Sequence, residues 1–92
     1  MATVKLNLEV TPANVQAYWI DIDDVIVPFT NGKGSKDLQS PGDYVLGWHF
    51  TGNAGSSIAI VGKVGENKVV EVRKSSMPAG EHEAFGSKDF SV

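Results

Sequence analysis

Two stretches of strict two-residue alternation constrain the fold of this chain more than any other feature. From Thr3 to Val10 every even-numbered residue is apolar, and polar residues separate them. Tyr44 to Thr51 has the same period, with an aromatic-rich set on one side and a smaller, more polar set on the other. A period of two is that of a β-strand with one buried face. The pattern therefore predicts an all-β chain with Trp48 in its core.

The stretch from Val15 to Ile22 fits two structures. As a helix it would begin at Thr11-Pro12 and carry an apolar stripe; as a strand it would place Tyr18 and Ile22 on one face. It is rich in aromatic and β-branched residues, and aspartates follow where the helix interior would be. Since aspartate is a weak helix former, the strand is favoured.

Shorter runs predict the remaining strands. Val25 to Val27 indicates an edge strand, because Pro28 cannot donate a hydrogen bond to a neighbouring strand. Ile58 to Val64 and Val69 to Arg73 indicate a hairpin that turns at 65–67. The tail from residue 81 to 92 is interrupted by glycine and charge and predicts one or two short strands.

Three segments rich in glycine, proline and asparagine are predicted to interrupt the strands: Thr11 to Asn14, Gly52 to Gly55 and Thr30 to Gly42. The last of these is long for a loop in a small domain, and a short strand around 36–38 is the alternative. As a loop it would be the most mobile segment and the main recognition loop, because binding residues collect on loops set on a rigid sheet.

Composition bounds the class of protein. The chain has 92 residues, no cysteine and a net charge of −3, with only eight scattered Lys and Arg residues. This predicts one domain over residues 1–92 and excludes a disulfide scaffold and a thiolate zinc site. A nucleic-acid partner needs a basic stripe that is missing, and a membrane partner is disfavoured for the same reason. We expect a cytoplasmic protein, or one secreted without a recognisable signal peptide.

The strand count and spacing predict an antiparallel β-sandwich of about seven strands. The segment from Tyr44 to Thr51 with Trp48, then Gly52 to Gly55 and Ile58 to Ile60, resembles the central hairpin of immunoglobulin-like sandwiches. It also resembles small uncharacterised bacterial proteins of that shape. The resemblance implies an immunoglobulin-like fold and carries no functional residues, and the paired cysteines of immunoglobulin domains are missing.

The densest carboxylate cluster is Asp21, Asp23 and Asp24. Calcium prefers several oxygen ligands, so these residues are the candidate metal site, although no EF-hand pattern surrounds them. The alternative is a charged strand end that keeps an edge soluble. His49 and His82 lie far apart in sequence and predict no metal site.

Candidate binding residues are aromatic or lie in the predicted loop. Tyr18 and Trp19 face opposite sides of a strand, so one of them is exposed; an exposed ring beside carboxylates suits a sugar site, a second core layer or a subunit interface. His49 should point outward if Trp48 points inward. The loop adds Asn31, Lys33, Lys36 and Asp37.

No acid–base pair, nucleophile pattern or phosphate-binding loop is present, so no catalytic residue and no cofactor is predicted. The leading hypothesis is a non-enzymatic binding or protein-interaction module, with self-association included. The runner-up is a small carbohydrate-binding protein assisted by calcium. An enzyme comes third, because the expected polar cluster is missing.

Overall fold

The computed structural model describes residues 2–92 as six β-strands in one antiparallel sheet. The all-β, antiparallel prediction is confirmed. The count of about seven strands is corrected to six, and a sandwich of two separate sheets is not confirmed, because every strand belongs to the same hydrogen-bonded sheet. The strands are β1 (Ala2–Ile22), β2 (Val25–Ile26), β3 (Lys33–Ser40), β4 (Asp43–Val64), β5 (Asn67–Ser76) and β6 (Glu83–Ser91).

Two very long strands, β1 and β4, form the centre of the sheet and pair from Leu6 opposite Val64 to Ile22 opposite Leu46. The predicted interruptions at residues 11–14 and 52–55 are therefore wrong, and the hairpin behind the immunoglobulin resemblance is one continuous strand. The glycine, proline and asparagine residues of these two segments lie where the strands bend. The β1–β4 register shifts on both sides of Val15, and such bulges bend a strand without ending it.

A buried serine holds the two bends together. Ser56 is fully buried, and its hydroxyl lies 2.6 Å from the carbonyl oxygens of both Asn14 and Asn53. Asn14 has a φ of 58°. Gly52 leaves the space that the Ser56 side chain fills, since a Cβ at Gly52 would collide with that hydroxyl. The bends of β1 and β4 are thus fixed at the same level of the sheet.

The bend divides the sheet into two halves. The β3 half contains β3, β1 up to residue 13, β4 from residue 57, and β5; the β6 half contains β2, β1 from residue 15, β4 up to residue 52, and β6. The buried side chains of both halves form a single hydrophobic cluster, so the sheet folds over on itself around one core. Fully buried members from the two halves include Leu6, Ile58 and Ile60 on one side and Ile20, Leu46 and Phe50 on the other.

Trp48 lies in this core, as the alternation predicts, with only 9% of its surface exposed. Its Nε1 donates a hydrogen bond of 3.1 Å to the hydroxyl of Ser75 on β5. The ring covers Gly86 of β6, where a Cβ would collide with the indole. Trp48 therefore connects β4 with both β5 and β6.

Of the other local predictions, some are confirmed and one is wrong. Val15–Ile22 is strand, as favoured, and the β4–β5 hairpin turns at Gly65 and Glu66 with Val70 buried. The mobile loop at Thr30–Gly42 is wrong, since β3 pairs with β1 from Lys33 opposite Glu9 to Ser40 opposite Ala2. A polar edge strand needs little apolar surface, because the ladder satisfies its backbone and Leu38 alone anchors it in the core.

Within residues 2–92, no helix has the length and apolarity to cross a membrane.

Candidate functional site

Three aromatic rings stand side by side on the outer face of the β6 half. Trp19 of β1 lies opposite His49 of β4, and His49 lies opposite Phe85 of β6. The rings stack, with centroids 4.8 Å apart between Trp19 and His49 and 4.3 Å apart between His49 and Phe85. The ring planes are nearly parallel, at 20° and 4°. We name Trp19, His49 and Phe85 the outer aromatic row.

The two ends of the outer aromatic row are exposed to solvent. Phe85 is 71% exposed and Trp19 44% exposed, and His49 lies between them. Val45 and Ile26 add further exposed apolar surface to the same face. Soluble monomers rarely leave large apolar residues exposed together unless the patch binds something.

Carboxylates lie on both sides of the outer aromatic row. Glu83 lies two residues before Phe85 on β6, and its Oε1 lies 3.4 Å from Nε2 of His49. That nitrogen is closed to solvent and makes no hydrogen bond with any residue from 2 to 92. On the other side, the carboxylate of Asp21 lies over Gly47, where the missing side chain leaves room for it. The site is thus an apolar centre with an acidic rim.

Of the predicted binding residues, the structure brings Trp19 and His49 together and separates the others from them. Tyr18 points to the inner face and packs edge-on against Phe29, with ring centroids 5.9 Å apart. It is partly buried, because it shares the parity of the core residues Ile20 and Ile22. Tyr18 is therefore a packing residue at the border of the core.

The residues predicted on a recognition loop lie on or before β3, in the other half of the sheet. Asn31 occupies a turn with a φ of 54°, and Lys36 lies opposite Leu6 with its surface half-buried. Lys33 lines a shallow groove of about 430 Å³ on the outer face of the β3 half. Asp37 is exposed opposite Lys5. These four residues do not join the outer aromatic row.

The three aspartates of the predicted calcium site lie in and beside the β1–β2 turn. Asp21 Oδ2 accepts a hydrogen bond of 3.1 Å from the backbone N–H of Asp24, and Asp23 Oδ1 accepts one of 2.9 Å from Val45 N–H. Asp23 and Asp24 have φ angles of 49° and 67°. Over residues 2–92, no group of three or more His, Asp or Glu side chains is placed to hold a metal ion.

Phe85 is the member of the site that sequence reasoning missed. A signal existed in the spacing of Phe85 and Phe90, because residues five apart on a strand point to opposite faces. Phe90 is buried, so Phe85 must point outward. Its place beside His49 depends on the β4–β6 register, which no local pattern specifies.

A separate charged cluster lies on β5. Lys68 Nζ lies 3.2 Å from Glu71 Oε2, and Arg73 Nε lies 3.5 Å from Glu71 Oε1. The hydrogen bond from Lys68 is the largest influence and lowers the pKa of the Glu71 carboxyl. Desolvation opposes it, and the charge of Lys68 and the hydrogen bond and charge of Arg73 lower the pKa further. This cluster keeps β5 polar and does not contact the outer aromatic row.

Comparison of the chain with protein-family models, with curated proteins and with solved structures found no match. No residue role comes from a relative, and the candidate function rests on the chemistry of the outer aromatic row itself.

Proposed function

We propose that this domain is a non-enzymatic interaction module that binds a protein partner through the outer aromatic row. One observation carries the proposal: Phe85 and Trp19 are both exposed at the two ends of a continuous ring stack. Rings held in a stack on a rigid sheet lose little conformational freedom on binding, and aromatic residues supply much of the energy at interfaces.

The acidic rim of the site is a second observation that favours a protein partner. Interfaces have an apolar centre and a polar border. Here Glu83 and Asp21 provide that border around the exposed rings of Phe85 and Trp19. The immunoglobulin-like sandwich stays part of the proposal, supported by the single core that the two halves share.

The test compares a double variant of the outer aromatic row with a control variant on the other half of the sheet. Trp19→Ser with Phe85→Ser removes both ends of the row, and Val61→Ser removes apolar surface from the outer face of the β3 half. A protein captured with the wild-type domain is identified, purified and titrated against each form by calorimetry. We expect the double variant to bind at least about thirtyfold more weakly, the loss of one hot spot of ~2 kcal/mol. Equal affinity for the double variant, with weaker binding of Val61→Ser, would contradict the proposal.

Carbohydrate binding is the second candidate. The free face of the Phe85 ring beside the Glu83 carboxylate favours it, because rings stack on sugars and carboxylates accept hydrogen bonds from hydroxyls. Titration with an oligosaccharide panel, with and without millimolar calcium, separates the candidates. Saturable binding that Phe85→Ser abolishes would move the carbohydrate function to first place.

A further inference from the structure

Strand β6 is an open edge of the sheet, and its hydrogen bonds reveal which backbone groups are free. At one end of the β4–β6 ladder Gly42 and Val92 exchange hydrogen bonds of 3.2 and 3.0 Å, and at the other end Gly52 N donates to His82 O at 3.1 Å. In an antiparallel ladder the bonded residues alternate. The even-numbered residues of β6 therefore bond to β4, and the odd-numbered ones direct their N–H and C=O groups away from the sheet.

The odd-numbered residues of β6 also carry their side chains on the outer face, since Phe85 lies there beside His49. β6 pairs only with β4, and no other described residue bonds to its outward backbone groups. Free hydrogen-bonding groups and the exposed end of the outer aromatic row thus coincide at Phe85.

We propose that the partner of this surface is a second copy of the chain, paired antiparallel along β6 about a two-fold axis at Phe85. This inference rests on the proposed function, because it uses the same row. Phe85 would face Phe85 of the second copy, and Glu83 would face Ser87 of the second copy in both directions. The three pairs are of the hydrogen-bonded kind, and the two rows would join into one stack of six rings.

The residues around Phe85 select this register. An axis at Gly86 would place Glu83 opposite Asp89, and like charges directly opposite each other are unfavourable. An axis at Ser87 would place the Asp89 carboxylate beside the negative face of the Phe85 ring. With the axis at Phe85, like charges face each other only at Glu81 and Asp89, and residue 81 lies outside β6.

Three other strand edges exist in the sheet, and each is protected against such pairing. On β3, the N–H and C=O of Lys33 already bond to Thr30, and those of Gln39 bond to the Tyr44 hydroxyl. β2 has only two residues, and Pro28 follows it closely. On β5, the Glu71 carbonyl already accepts a hydrogen bond of 2.8 Å from Lys88 Nζ, and the strand carries Lys68 and Arg73. Short length, proline and lysine are the usual means of blocking an edge. The one lysine of β6, Lys88, reaches to β5 and leaves the outward N–H groups of β6 uncovered.

The contact is small, so the association is weak. Three residue pairs per edge bury less than the roughly 1,200–2,000 Å² of a stable interface. We expect a dissociation constant between about 1 µM and 1 mM, which concentration-dependent methods detect.

The chain contains no cysteine, so introduced cysteines report on the register. Residues 83 and 87 lie about 13 Å apart within one extended strand, too far for a disulfide. Across the proposed axis they would lie about 5.5 Å apart. E83C/S87C should therefore oxidise to a covalent dimer. The single variants E83C and S87C should form only the small amount of disulfide-linked dimer that random collisions produce.

Sedimentation velocity of Ser87→Pro and Ser87→Ala tests the edge itself. Proline removes an N–H that points outward, so the β4–β6 ladder keeps its bonds, and thermal melting checks that the fold is intact. We expect wild type and Ser87→Ala to associate with rising concentration and Ser87→Pro to remain monomeric.

Three results would overturn the inference: a wild type that stays monomeric to millimolar concentration, a Ser87→Pro that associates as wild type does, or an S87C that crosslinks as readily as E83C/S87C. The proposed function fails separately. If copies do not associate, yet a captured protein still loses affinity for Trp19→Ser with Phe85→Ser, only the second-copy inference is lost.

Discussion

Replacement of Trp48 tests how the two halves of the sheet are held together. The side chain is 9% exposed and donates a hydrogen bond to Ser75 across the core. A buried tryptophan removes roughly 200 Å² from water, which at about 25 cal/mol per Å² is ~5 kcal/mol as an upper estimate. We expect Trp48→Ala to lower the free energy of unfolding by about 3–5 kcal/mol.

About 1 kcal/mol of this loss should belong to the hydrogen bond. Trp48→Phe keeps most of the ring area and loses the donor, and Ser75→Ala loses the acceptor. Since Ser75 is only half-buried, its hydroxyl can return to water, and the single Ser75→Ala change should cost about 0.5–1.5 kcal/mol. If the contact exists, the double variant costs less than the sum of the singles.

Urea unfolding followed by circular dichroism measures the wild type and all four variants, because a domain of this size is expected to unfold in two states. A total stability near 5–15 kcal/mol leaves Trp48→Ala marginal or unfolded. A Trp48→Ala as stable as wild type would refute the core assignment. Strictly additive losses for Trp48→Phe and Ser75→Ala would refute the contact between them.

Three further predictions concern the bend, the row and the charged cluster. Ser56→Ala should lower the free energy of unfolding by about 0.5–1.5 kcal/mol in urea titration, because it removes the buried hydroxyl that lies 2.6 Å from the carbonyl oxygens of Asn14 and Asn53; an unchanged free energy of unfolding would contradict the role of Ser56 in holding the two bends. In the same assay Phe85→Ser should lower the free energy of unfolding by less than about 1 kcal/mol, which is the contribution of a cross-strand pair. A larger loss would mean that the outer aromatic row stabilises the fold. NMR titration should show the Glu71 carboxyl below its usual pKa, with Lys68→Met raising it. Because that pKa is lowered in the folded state, the stabilisation is present above the unfolded pKa and disappears as pH falls through the folded one.

Alternation predicted the buried faces of β1 and β4 because parity alone decides which side chains meet the core. It did not separate a bend from a turn. Residues 11–14 and 52–55 have the proline, asparagine and glycine of a turn, but the same residues suit bulges, and the Ser56 contact with both bends decides between them. That contact joins residues 42 apart in sequence, so no local pattern contains it.

The candidate site was also predictable only in part from the sequence. Trp19 and His49 were identified as candidates because each alternates with a core residue. Their stacking follows from the β1–β4 register, and the addition of Phe85 follows from the β4–β6 register. Both registers depend on strands that lie far apart in sequence. For this reason the sequence predicted Trp19 and His49 as candidates but not Phe85.

The most direct test of the central claim is a dilution series of the ¹⁵N-labelled domain, followed by amide NMR shifts from millimolar to low micromolar concentration. The interaction face described above predicts concentration-dependent shifts at the backbone amides of Glu83, Phe85 and Ser87 and at the indole of Trp19, and none for Ser87→Pro. Shifts that change on β3 and β5 instead would contradict this interaction face, and shifts that do not change would contradict its pairing with a second copy.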